Sequence, residues 1–291
     1  MEQQKKAQYS INSCGWLLLF VFYMQFLTGE TLNLIWEKLF WGSVPQYVAL
    51  VCVQFFAIIL PCTVFLFLKD AKPNEIIKTR KLNAPAVIVC FLIGVFAQPV
   101  ASLINSPVIM ALSEGGHVSP QLNIPQTFGS YLLGLLVVAL IPAVFEELLM
   151  RGVVLHSTEK YGYRLSLAIS SIWFALLHNS FENFLGMLFL GFVLCYAVWM
   201  TQSVYAGIII HFAFNASALT MQYLGQPNVW IMWLYIIASI FLFSVCLSAI
   251  NRKLVRRYRS NRMIVYILKA LLNLPIILII LGMLMFHFCL R

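Results

Sequence analysis

Apolar stretches long enough to cross a lipid bilayer recur along the whole chain and leave it few folds to adopt. They run near 15–35, 46–68, 85–112, 129–156, 165–179, 183–201, 204–223, 229–250 and 264–289. A hydrocarbon core about 30 Å thick is crossed by roughly 20 helical residues. The composition agrees: 62% of the 291 residues are hydrophobic and 10% are charged, where a soluble domain is about one quarter charged. These observations predict an all-α, polytopic transmembrane helix bundle forming a single integral membrane domain over 1–291. The run 165–179 is short and the boundary between 183–201 and 204–223 is soft, so eight spans stand beside nine.

Charge sets the expected orientation. Lys5 and Lys6 precede the first run, and Lys69, Lys72, Lys78, Arg80 and Lys81 follow the second. Arg252, Lys253, Arg256, Arg257, Arg259 and Arg262 follow the eighth, whereas 113–128 and 224–228 hold no Lys or Arg. The positive-inside rule places the N-terminus in the cytoplasm. Nine spans then put every basic loop on that side, including the one with Lys160 and Arg164. Topology and anionic lipid thus account for the net charge of +9, and no nucleic-acid partner is expected. The first run lacks a small-x-small cleavage pattern and reads as a retained helix. The seven cysteines are scattered through apolar segments without C-x-x-C spacing, as small membrane hydrophobes are.

The polar residues inside the apolar runs are unevenly spread. Segments 1–128 and 224–291 carry few and read as scaffold spans. The central spans, 129–223, hold Glu146, Glu147, Arg151, His178, Asn179, His211 and Asn215, and read as the acting core. Burying a carboxylate in hydrocarbon costs several kcal/mol unless it is paired, protonated or hydrated. Glu147 and Arg151 are four apart and should pair along one helix face. Glu146 then points to a different neighbour and is the carboxylate free for chemistry. Pro142, one turn earlier, is expected to kink the helix and open a wet cavity beside it. At about 1.5 Å per helical residue, Glu146 lies roughly 15 Å, His178 roughly 20 Å and His211 roughly 10 Å from their span ends. One intramembrane cluster is therefore feasible.

Three patterns occur in order on successive apolar runs. Glu146-Glu147-Leu-Leu-Met-Arg151 is E-E-x-x-x-R, Phe174 to His178 is F-x-x-x-H, and His211 to Asn215 is H-x-x-x-N. Together they resemble the CPBP intramembrane protease family, which includes CAAX prenyl endopeptidases and bacteriocin-processing or immunity proteins. The resemblance covers about 140–220. It implies an endopeptidase acting on a hydrophobic peptide or membrane-protein substrate within the bilayer. Carried over by motif position, Glu146 and His178 would activate water, and His211 and Asn215 would donate to the oxyanion. Glu147 and Arg151 would support the glutamate helix.

The family has been described both as zinc-dependent and as metal-free. Glu146, His178 and His211 could in principle ligate zinc, yet H-E-x-x-H is absent and asparagine is a poor ligand, so no cofactor is expected. A non-catalytic immunity or regulatory protein of the same fold is the first alternative. A proton-coupled transporter is less favoured, because inverted repeats are not visible. Compact loops and the lack of targeting tails tilt the expected location toward a bacterial cell membrane.

Overall fold

The computed structural model describes residues 9–40, 44–114, 127–225, 228–251, 270–271 and 273–288. Their architecture is a bundle of helices: α1 (Ile11–Phe40), α2 (Gln46–Leu68), α3 (Ala84–Glu114), α4 (Phe128–Tyr161), α5 (Tyr163–Leu177), α6 (Phe184–Thr201), α7 (Val204–Leu224), α8 (Val229–Asn251) and α9 (Leu274–Phe288). Seven of them, all except α5 and α9, are long and apolar enough to cross a membrane. The protein is an integral, multi-pass membrane protein. The start of the expected last span, the basic stretch 252–262, and Lys5 and Lys6 lie outside the described residues.

Element bounds follow local chemistry. Helix α5 has 15 residues, about 22 Å at the helical rise, which falls short of a hydrocarbon core. It stops because Asn179 takes a left-handed conformation at φ 46°, which asparagine tolerates better than most residues. The polar turn that follows satisfies its own backbone: Asn183 N–H donates to Ser180 Oγ, and Gly186 N–H donates to Asn105 Oδ1 of α3 at 2.7 Å. Irregular backbone at membrane depth needs such internal partners.

Helix α4 carries its proline without breaking. Residues Leu135–Leu140 and Leu148–Val154 are π-helical and flank an α-helical segment, Ile141–Glu147, that holds Pro142 and both glutamates. Pro142 has no N–H to give the carbonyl of Val138, four residues back. The wider π turn makes room for the ring, and Asn215 Nδ2 of α7 approaches that carbonyl at 3.5 Å. Pi-helical turns are rare and often mark functional sites. A third one, Val53–Ile59 in α2, packs against the glutamate segment.

Small residues bring the central helices together, as they do where lipid supplies no hydrophobic drive between helices. A Cβ on Gly94 of α3 would stand 2.3 Å from the Ile210 carbonyl oxygen of α7, and one on Gly191 of α6 would stand 3.0 Å from Ser171 Cα of α5. On one side of the bundle an extended segment after α2 is stapled to the α6–α7 turn. Val204 N–H donates to Lys78 O at 2.7 Å, and Arg80 N–H donates to Gln202 O at 3.2 Å. Lys78 pairs with Glu159 and lies over the Trp199 ring at 4.7 Å.

Candidate active site

The glutamate segment of α4, the C-terminal end of α5 and the middle of α7 meet around two layers of polar side chains. The inner layer is sealed: the side chains of Glu147 and Arg151 are 0% exposed and that of His211 is 3% exposed. Arg151 Nη1 donates to Glu147 Oε1 at 2.7 Å, and Arg151 Nη2 donates to the Gly191 carbonyl at 3.0 Å. The guanidinium lies 4.6 Å over the Phe174 ring, an added cation–π contact. His211 turns its Nδ1 to the same Glu147 oxygen at 3.3 Å. Glu147 therefore serves both the arginine on its own helix and the histidine on α7.

The outer layer is accessible. His178 keeps 27% of its side chain exposed and Glu146 keeps 17%. His178 Nε2 lies 3.8 Å from Glu146 Oε2. That gap is too long for a direct hydrogen bond, and a water can sit within bonding reach of both atoms. His178 Nδ1 is 2.8 Å from the Phe174 carbonyl. A carbonyl only accepts, so Nδ1 carries the proton, and the neutral ring presents a lone pair at Nε2. The histidine thus caps the end of α5 with one nitrogen and faces Glu146 with the other. Phe174 stands between the layers, its ring centroid 4.5 Å from His178 and 5.7 Å from His211.

Asn215 lies one turn beyond His211, and its amide approaches the Val138 carbonyl rather than either glutamate. With His211 Nδ1 donating to Glu147, Nε2 can donate only when the ring is an imidazolium. Among the described residues no group of three His, Cys, Asp or Glu side chains is placed to hold a metal ion.

One member of the site lies outside the three sequence patterns. Gln54 of α2 is buried, and its Nε2 donates to Glu146 Oε1 at 3.0 Å. Its signal in the sequence is a lone amide within Leu50-Val-Cys-Val-Gln-Phe-Phe-Ala-Ile-Ile-Leu60. An intramembrane polar residue in a scaffold span asks for a partner as much as one in the core does.

Residues 128–217 match the family model of type II CAAX prenyl endopeptidase Rce1-like proteins. Over this block the match agrees with the resemblance of the three patterns to the CPBP/CAAX protease family. The match runs from α4 into α7 and contains Glu146, Glu147, Arg151, His178, His211 and Asn215, while Gln54 falls outside it. No curated protein and no solved structure matches the chain.

The sealed layer leaves a measurable mark at Gly207 of α7, where a Cβ would stand 2.4 Å from Glu147 Oε2. Gly207→Ala is expected to push the carboxylate off Arg151 or part α4 from α7, at a cost of about 1–3 kcal/mol. Unfolding in detergent micelles measures this, and a variant as stable as wild type would mean that the carboxylate shifts freely.

Proposed function

We propose that this protein is an intramembrane endopeptidase in which Glu146 and His178 activate a water. The observation that carries the reading is the contrast between the layers: of the two adjacent glutamates, only Glu146 is accessible and paired across helices with a histidine of fixed tautomer. A water between Glu146 Oε2 and His178 Nε2 gives one hydrogen to the imidazole lone pair as a hydrogen bond. It loses the other to the carboxylate as its oxygen attacks the scissile carbonyl. Glu146 then returns the proton to the departing amine, so the carboxylate is regenerated. His211 and Asn215 are the donors for the oxyanion, each such donor contributing roughly 3–4 kcal/mol in other proteases. The low dielectric around the site strengthens these interactions.

The substrate class is a hydrophobic peptide or a membrane-anchored protein segment, reached within a bacterial cell membrane. The site as read uses protein groups and water, with no metal step. The matching family model describes type II CAAX prenyl endopeptidase Rce1-like proteins. Here an unprenylated hydrophobic peptide, such as a peptide precursor, is proposed.

His178→Ala, assayed as detergent-purified protein on a labelled transmembrane peptide with a chelator present, is expected to lower cleavage by roughly 10²–10⁴-fold. Unchanged cleavage would remove His178 from the reaction, and wild-type cleavage lost on chelation would overturn the metal-free mechanism. No cleavage of any hydrophobic peptide by wild type would favour a non-catalytic protein of the same fold.

A further inference from the structure

We propose that Gln54 is a positioning residue for the Glu146 carboxylate, so that the N-terminal span α2 completes a site whose other members lie in residues 128–217. The inference rests on the reading of Glu146 as the base and extends it to a part of the chain that the family model does not cover.

The terminal torsion of a glutamate is broad and roughly two-fold, so its own helix does not fix which oxygen faces the substrate. Among the described residues the one direct hydrogen bond to this carboxylate comes from Gln54 Nε2, to Oε1 at 3.0 Å. That bond leaves Oε2 as the oxygen on the His178 side, 3.8 Å from Nε2. Anchoring one oxygen thus orients the other toward the position of the attacking water. The charged groups around Glu146 are Glu147 and Arg151 on its own helix, His178 at the end of α5 and His211 on α7. The first two and His211 are engaged with one another, and His178 stands beyond hydrogen-bond reach.

A packing role does not account for this glutamine. Its side chain is 7% exposed in an apolar span, and its Oε1 is buried without a hydrogen-bond partner. A leucine or methionine would fill the same space with no orphaned carbonyl. Asn105 of α3 makes the contrast: its amide is spent on the backbone N–H of Gly186 and on Asn183, which is a structural use. The Gln54 amide reaches a carboxylate that the site needs oriented. Its place on the π-helical turn Val53–Ile59, which packs on the glutamate segment, lets α2 approach closely enough for the bond.

Gln54→Met preserves length and bulk while removing the donor. In the full-length protein it is expected to lower kcat on a labelled transmembrane peptide on the order of 10²-fold, the scale of a misplaced reacting group. KM and the melting temperature in detergent are expected to hold. An unchanged kcat would overturn the proposal, as would a kcat loss that merely tracks a loss of folded protein, since that marks a packing residue. Glu146→Gln separates the two levels. If it cleaves like wild type, the base assignment falls and this inference with it. If it is inactive while Gln54→Met is fully active, only the role of Gln54 falls.

Discussion

Glu146→Gln is expected to abolish cleavage, lowering kcat/KM by about 10⁴-fold, near the upper end of what a positioned general base contributes. The substitution is nearly isosteric, and a glutamine there can still accept from Gln54 Nε2 through its carbonyl oxygen. The fold should therefore survive, and melting in detergent should match wild type. What is lost is the ability to take a proton from water beside His178 Nε2. Its sequence neighbour gives the control. Glu147 makes its contacts in the sealed layer, with Arg151 Nη1 at 2.7 Å and His211 Nδ1 at 3.3 Å, so Glu147→Gln should lower stability and leave partial activity. Kinetics on a labelled transmembrane peptide together with unfolding curves read both effects. The division of labour collapses if Glu146→Gln cleaves at the wild-type rate, or if the two variants lose activity and stability in the same proportion.

The adjacency of the two acids was legible in the sequence because helical spacing assigns directions: four residues apart means one face, and the Glu147–Arg151 pair follows. The bundle was legible for a similar reason, since apolar length maps onto bilayer thickness. The run at 46–68 coincides with α2, and 229–250 differs from α8 by one residue. Other features depend on contacts that no one-dimensional pattern encodes. The end of α5 was placed at 179, but the helix stops at Leu177 because His178 caps the Phe174 carbonyl and Asn179 turns left-handed. Pro142 suggested a kink. A π-helical turn, Leu135–Leu140, precedes the proline, and Asn215 reaches the carbonyl that Pro142 cannot serve. Gln54 was visible as a polar residue in an apolar run, but its partner lies 92 positions away. Only packing of α2 on α4 brings the two together. The three patterns mark the polar groups that the helices bring together, and the scaffold supplies their orientation.

The second large effect is expected at Arg151. Its guanidinium is fully buried and joins three elements: it donates to Glu147 on α4, to the Gly191 carbonyl on α6, and stacks on Phe174 of α5. Arg151→Leu removes the cation but leaves the Glu147 carboxylate sealed beside His211. Breaking a buried pair from one side costs about 3–5 kcal/mol, and the sealed carboxylate keeps the longer contact to His211 Nδ1 at 3.3 Å in place of the cation. Arg151→Leu should therefore melt well below wild type in detergent and lose activity as α5, and with it His178, shifts. The double variant Glu147→Met with Arg151→Leu removes both charges together, and apolar replacements of a buried pair are often nearly neutral. It should recover most of the stability, so the two substitutions are expected to be strongly non-additive. Activity should not recover to the same degree, because His211 loses the carboxylate that directs its ring. Stability restored with cleavage still impaired separates holding the bundle from equipping the site. A single Arg151→Leu variant within about 1 kcal/mol of wild type would show that Glu147 finds its compensation elsewhere.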